Sequence, residues 1–276
     1  SLFSEPFDPM LFPVRRVPWP HTHWNDDDVD TREQQALDDL EQALQTPTAA
    51  VILEPLIQGA GGMRMVRPQF LQAVEQQVRR AGSLLIADEV LAGFGRCGRL
   101  LASQRAGIQP DLVALSKGLT AGFLPMGITM ASEMIFEEFL GSDPTKTLWH
   151  GHSFTANPLG CAAANASLDL LEANPACHEQ FERRHQRRLE GLASHPRVQR
   201  TRLCGTIAAF DLVTEAEQGY LNPAGKVLRR LVRDQGVLIR PLGDVVYLLP
   251  PLCISDAQLD QCYDALHNGL DALPDR

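Results

Sequence analysis

At 276 residues the chain is long enough to bury a substantial core in one large domain or two smaller ones, and its 44% hydrophobic and 21% charged content is that of an ordinary globular protein. A formal net charge of -9 argues against a nucleic-acid or anionic-membrane partner, despite the locally basic run 183–202, which reads as a solvated helix face and loop. No window has the apolar length of a membrane span and the first residues lack the charged, apolar, small-residue order of a signal peptide, so a cytoplasmic protein is expected.

Residues 1–29 carry prolines at 6, 9, 13, 18 and 20 and the run Asn25-Asp26-Asp27-Asp28, a pattern that excludes a regular helix and predicts an extended surface segment. His21 and His23 alternate as two ligands on one strand would, but no third ligand is evident; a proline-rich loop with two unrelated histidines is the simpler reading. Thr31 and Gln34 suit a capping box for a scaffold helix with apolar positions Ala36, Leu37, Leu40 and Leu44. Residues 49–53 read as a buried strand ending on Glu54-Pro55. The glycines of the following loop, Gln58-Gly59-Ala60-Gly61-Gly62, lack the GK[ST] ending of a P-loop and supply backbone freedom instead. A helix from about 68 to 80 leads to a second buried strand, 84–87, so strand, helix and strand form a parallel βαβ unit with right-handed crossover.

That second strand stops at Asp88-Glu89, and a third apolar run, 112–115, stops at Ser116-Lys117. In an open α/β sheet ligands sit outside the carboxyl ends of the strands, so a carboxylate and an amine here face one crevice. Pyridoxal phosphate chemistry needs this pair. A lysine amine forms a Schiff base with the cofactor aldehyde, and a carboxylate keeps the pyridine nitrogen protonated so that the ring accepts electrons as a carbanion develops. Lys117 and Asp88 are the candidates. On pattern alone an alternative stays open, in which Asp88 caps a turn and Lys117 is a solvated surface lysine. The stretch Gly93-Phe94-Gly95-Arg96-Cys97-Gly98 satisfies GxGxxG after a strand. Nicotinamide binding, however, wants a long helix there and an acidic residue ending the next strand, whereas Asp111 precedes that strand and lysine ends it.

Downstream, 127–131 predicts a further strand and 133–140 a helix. His150 and His152 lack a nearby acidic or thiol partner for a metal. An alanine-rich helix occupies 160–171, and short strands follow at 208–213, 237–239 and 245–249, with helices around 224–235 and 257–270. That order is α+β and marks a smaller carboxyl-terminal domain, giving an expected division into 1–166 and 167–276. Six cysteines, Cys97, Cys161, Cys177, Cys204, Cys253 and Cys262, show no CxxC spacing and indicate neither a disulfide framework nor a zinc site.

The strings EPLIQGAGGMR, LIADEVLAGFGR, LSKGLTAG, HGHSFTANPLGCAAANASL and IRPLGDVVYLLPP together resemble the class III, fold-type I aminotransferases, in the family's order from about residue 49 to 251. Within that class, EPLIQGAGGMRM, NPLGCAAANASL and the tail resemble the branch that forms 7,8-diaminopelargonate in biotin synthesis. The resemblance implies an α/β fold, with a mainly parallel sheet flanked by helices in a large domain and a smaller α+β carboxyl-terminal domain. It implies pyridoxal 5'-phosphate as cofactor, Lys117 as the Schiff-base lysine and acid/base, and Asp88 as partner of the pyridine nitrogen. Glu54 would lie at the cofactor pocket, the Ser153 hydroxyl would reach the phosphate of cofactor held by the other subunit of a homodimer, and Arg240 would bind the substrate carboxylate. The substrates implied are 7-keto-8-aminopelargonate and an amino donor, often S-adenosylmethionine.

Two departures stand out. His152-Ser153 replaces the proline and threonine often found in the biotin branch, keeping the hydroxyl. Alanine near position 60 replaces the glutamate with which two-carboxylate members park their arginine, so that switch is expected to be absent. The resemblance also implies an amino-truncated piece of a longer enzyme, because the family's phosphate-binding Gly-Ser turn, ring-stacking aromatic and pocket aromatics have no counterpart before Glu54. Weak cofactor binding and little turnover are then expected of the chain alone. Another class III ω-aminotransferase, or a fold fragment without cofactor, is the alternative.

Overall fold

The computed structural model describes residues 5–175, 178 and 180–274, so Cys177 lies outside the described residues. After a 3-10 turn at Glu5–Met10, helix α1 (Val29–Leu44) precedes strand β1 (Ala50–Leu53) and the small antiparallel hairpin β2 (Ile57–Gln58) and β3 (Arg64–Met65). Helix α2 (Pro68–Arg80) then crosses to β4 (Leu84–Asp88), and short α3 (Ala102–Ala106) to β5 (Leu112–Leu115). β1, β4 and β5 pair in parallel, with Leu53 opposite Ala87 and Asp88 opposite Ala114; β6 (Ile128–Ala131) joins β5 antiparallel, for the order β1-β4-β5-β6. The three parallel strands therefore end on one side of the sheet. β1 is an edge strand, and Ile52 stands 62% exposed on it, so the expectation of full burial fails for this strand.

The crossover helix shows why this arrangement is stable. Pro68 occupies the first helical position, where its missing N–H has no partner to lose. Phe70, Leu71, Val74 and Val78 recur on one face and are all buried. Burial of side chains this size contributes roughly 1.5–3 kcal/mol each, which outweighs any difference in helix propensity along the segment. Asp111 ties the helix to the sheet: its Oδ2 accepts the Leu85 N–H at 2.7 Å and the Arg79 guanidinium at 2.5 Å.

Helix α4 (Glu133–Glu137) and the long α5 (Pro158–Ala173) follow, and Ala164 and Leu171 of α5 pack with Phe94 and Leu115. Position 166 thus falls inside one helix. Beyond it, helix α6 (Phe181–Ala193), the antiparallel sheet β7 (Val198–Cys204), β8 (Ile207–Leu212) and β9 (Val245–Leu248), and helices α7 (Ala224–Arg233) and α8 (Asp256–Asp271) enclose a second core around Phe181, Phe210, Leu228 and Leu259.

Several expectations need correction. The amino-terminal segment is more than extended surface: Trp19 meets Phe70 edge-on at 6.1 Å, and Trp24 packs on the second core. α1 starts at Val29, before the expected Thr31 cap, and Gln34 instead donates to Asp38 one turn on at 2.8 Å. Residues 237–239 are not a strand. Val237 and Ile239 are buried with Leu238 exposed between them, an extended alternation, but Gly236 at φ +84° and Pro241 bracket it and no strand pairs with it. The basic run is not simply solvated either. Arg184 and Arg188 pair with Asp256 and Asp260 of α8 at 2.9 and 2.5 Å, residues 198–204 form β7, and Arg202 is buried. All five described cysteines are free, and no group of metal-ligating side chains occurs among the described residues. No helix there is long and apolar enough to cross a membrane.

His185 of α6 makes stability pH-dependent. It is fully buried, and its Nε2 donates to the Thr206 carbonyl at 3.2 Å, so Nδ1 is left to accept the Tyr263 hydroxyl at 2.7 Å. Burial lowers its pKa from 6.5 to about 4, aided by Arg184 and Arg188 and opposed by the Thr206 carbonyl and Glu182. The unfolded chain binds this proton more readily, so the contribution is present above pH 6.5 and lost as pH falls through about 4. The full loss amounts to about 3 kcal/mol. Urea midpoints at pH 7 and 4.5 are expected to differ more in the parent than in His185→Gln; an equal fall in both would refute the assignment.

Candidate active site

Parallel pairing sets three charged side chains at consecutive strand ends: Glu54 just beyond β1, Asp88 closing β4, and Lys117 two residues beyond β5. Their fields meet on Glu54. Burial pushes its carboxyl above the ordinary range, and the Asp88 charge adds to the push, while the Gly59 N–H and Lys117 oppose it. Glu54 Oε2 accepts that Gly59 N–H at 3.0 Å. Asp88 Oδ1 accepts the Val90 N–H at 3.0 Å, which fixes the carboxylate and leaves Oδ2 for another donor.

Lys117 opens a 3-10 turn, Lys117–Thr120, in left-handed backbone at φ +43°, where a side chain other than glycine is strained. The surroundings enforce this conformation. Ser116 Oγ donates to the Met126 carbonyl at 2.7 Å, the Gly122 N–H donates to the Lys117 carbonyl at 3.2 Å, and Ser167 Oγ of α5 donates to the Gly118 carbonyl at 3.1 Å. Phe94 lies over Gly118 so closely that a Cβ there would sit 2.7 Å from Phe94 Cβ. The residue so held is exposed beyond the carboxyl end of β5.

The loop carrying the GxGxxG pattern does not open a helix; Gly95 and Gly98 both take φ +85° within a run of turns. Its anchor is Glu89, a residue to which the pattern assigned no role. Fully buried beside Asp88, Glu89 accepts the Ala102 N–H at 2.6 Å, the Ser103 N–H at 2.8 Å and the Ser103 hydroxyl at 2.6 Å. It thereby caps α3 from thirteen residues away and holds the 90–101 loop against the strand that carries Asp88.

The remaining two candidates are not part of this group within the chain. Ser153 is exposed on the loop before α5, where the Phe154 N–H donates to His152 Nδ1 at 3.1 Å and the His152 N–H to Thr155 Oγ1 at 3.0 Å, giving His152 a turn-forming role. Arg240 is exposed before Pro241; burial raises the pKa of the Tyr247 phenol while the Arg240 charge opposes the shift, so these two side chains are electrostatic neighbours.

A family model described as aminotransferase class-III matches residues 1–270. Adenosylmethionine-8-amino-7-oxononanoate aminotransferase of Synechococcus elongatus is 54% identical over 274 residues, covering 99% of this chain and 64% of that protein. The protein of the same name from Geobacter sulfurreducens is 39% identical over 284 residues, covering 98% and 62% respectively. A solved structure titled "Transaminase with L-ala" superposes with a TM-score of 0.85 at 30% identity, covering 97% of this chain and 66% of that one. The chain thus spans a little under two thirds of the length of these relatives.

Proposed function

The chain belongs to the class-III aminotransferase family, and from that premise we propose that it carries the lysine-bearing part of a pyridoxal-phosphate-dependent amino-group transfer. The supporting observation is the convergence of Glu54, Asp88 and Lys117 at three adjacent strand ends. The donor set fits the cofactor: one amine for an aldehyde, and one carboxylate with an oxygen left over for a protonated pyridine nitrogen. When bound, pyridoxal phosphate supplies an aldehyde that takes up amines and a ring that accepts the electron pair of a breaking C–H bond. In this reading the Lys117 ε-nitrogen would hold the cofactor, and as a free amine it would hold and move the proton of the donor's α-carbon. Asp88 Oδ2 would accept a protonated pyridine N–H, and Glu54 would line the crevice beside it. Arg240 pairs with the acceptor's carboxylate as a planar two-pronged donor, and the Ser153 hydroxyl donates to the phosphate held by a second copy.

The proposed substrates are adenosylmethionine as amino donor and 7-keto-8-aminopelargonate as acceptor, following the name of the relative at 54% identity. A thermostable omega transaminase, the rival type, is 28% identical. A homodimer belongs to the same proposal; it is supported by exposed apolar side chains on the 123–159 stretch, including Phe123 and Trp149, each 82% exposed. The test is to add pyridoxal phosphate to the purified chain, reduce with borohydride and map the adduct by peptide mass spectrometry. The chain has three lysines, Lys117, Lys146 and Lys226, so the outcome is unambiguous. Selective labelling at Lys117 is expected, and equal labelling of all three would refute a working site.

A further inference from the structure

Between β2 and β3 the chain turns through residues 59–63, and this turn is gripped from two sides. Leu91 presses against Gly59 so closely that a Cβ there would lie 2.3 Å from Leu91 Cδ2. On the other side stands Arg202 of β7, only 5% exposed. Its Nε donates to the Met63 carbonyl at 2.7 Å, its Nη2 to the Gly62 carbonyl at 2.8 Å, and its Nη1 to the Arg200 carbonyl at 2.7 Å, with Asp211 Oδ1 2.8 Å from Nη1. Every nitrogen of the guanidinium is committed. A buried ion pair of this kind is weak evidence for stability, because apolar residues of similar volume often serve as well or better. The two carbonyls it grips suggest a different use.

From those residues hydrogen bonds run back to the strand-end carboxylates. The Gly62 and Met63 N–H groups donate to the Gly59 carbonyl at 3.2 and 3.1 Å, and the Gly59 N–H donates to Glu54 Oε2 at 3.0 Å. We propose that Arg202 is a positioning residue of the active site: by clamping the 59–63 turn it keeps the Gly59 N–H on Glu54 and so aims that carboxylate at Asp88 and Lys117. Arg202 belongs to the same sheet as Cys204, Ile207 and Ala209, which pack in one core with Met63 and Met65, so its guanidinium adds hydrogen bonds to the turn carbonyls where that sheet already meets the turn by apolar contact. The inference rests on the reading of Glu54, Asp88 and Lys117 as the site.

The experiment is a carbon-13 NMR titration of the glutamate carboxyls in the cofactor-free chain, with Glu54→Gln used to assign the Glu54 resonance. It compares the parent, Arg202→Met and Arg202→Lys, each checked for cooperative thermal unfolding. Besides the Gly59 N–H, the charged groups facing Glu54 are Asp88 and Lys117, and neither variant alters them. Loss of the N–H in Arg202→Met is expected to raise the Glu54 midpoint by about one pH unit, and Arg202→Lys, which can hold one carbonyl, to recover about half of that shift. Equal midpoints in the parent and the folded variants would overturn the proposal, since an arginine that only joins the two cores would leave Glu54 unmoved. Should Arg202→Met fail to fold, Arg202→Lys decides alone. Lys117 labelling is read separately: a parent chain without selective labelling sinks the functional reading whatever the titration shows.

Discussion

Replacing Lys117 by alanine is expected to abolish selective borohydride-fixed labelling, leaving only the background at Lys146 and Lys226. The effect is all-or-none because the label requires a primary amine at that strand end, and the other two lysines lie far along the chain in other elements. Stability supplies a second, independent readout. Lys117 sits at φ +43°, a region that costs a side-chain-bearing residue about 1–2 kcal/mol relative to glycine. Lys117→Ala keeps a Cβ and therefore the strain, so its unfolding midpoint should stay near the parent's. Lys117→Gly should lose the label equally and unfold at higher urea, by about 1 kcal/mol. A glycine variant no more stable than the alanine variant would show that the backbone there is not held under strain.

The largest stability effect is expected from Glu89→Ala. Its carboxylate is fully buried and holds two backbone N–H groups and one hydroxyl at 2.6–2.8 Å. Truncation leaves all three donors without an acceptor and opens a cavity beside β4. Each stranded donor costs about 1–3 kcal/mol, so a loss of about 3–5 kcal/mol is expected from a total that for domains is typically about 5–15 kcal/mol. Urea unfolding measures it directly. Glu89→Gln keeps one acceptor oxygen and should lose about half as much. In either variant the 90–101 loop is released beside Asp88, so selective labelling at Lys117 should weaken even under conditions where the chain remains folded. A Glu89→Ala chain within about 1 kcal/mol of the parent would mean that water replaces the carboxylate, and that the loop does not depend on it.

How much of this was legible beforehand follows from the range of each interaction. Strand runs that stop on Glu54, Asp88 and Ser116-Lys117 are local patterns, and parallel pairing puts strand ends on one side; that was enough to bring Asp88 and Lys117 to one crevice, while Glu54 joined them only through the family resemblance. The alternative of a solvated Lys117 was open on pattern, and exposure of the residue and its left-handed backbone are compatible with both readings; the labelling experiment is what separates them. The misreadings fall where a partner is distant or missing. Residues 237–239 have the alternation of a strand but no neighbouring ladder. The arginines of 183–202 look alike in sequence, yet Arg184 and Arg188 face acids on α8, while Arg202 faces two carbonyls nearly 140 residues upstream.

By itself the sequence determined the order of the elements, the parallel pairing of the strand ends and the chemistry of the residues there, because apolar spacing and terminal charges act within a few residues. Only the tertiary structure decided which charges are buried and what they hold. Glu89 and Arg202 became anchors through acceptors and donors brought together from far along the chain. A buried charge is tolerable only when such partners surround it, and that condition is met or missed in three dimensions.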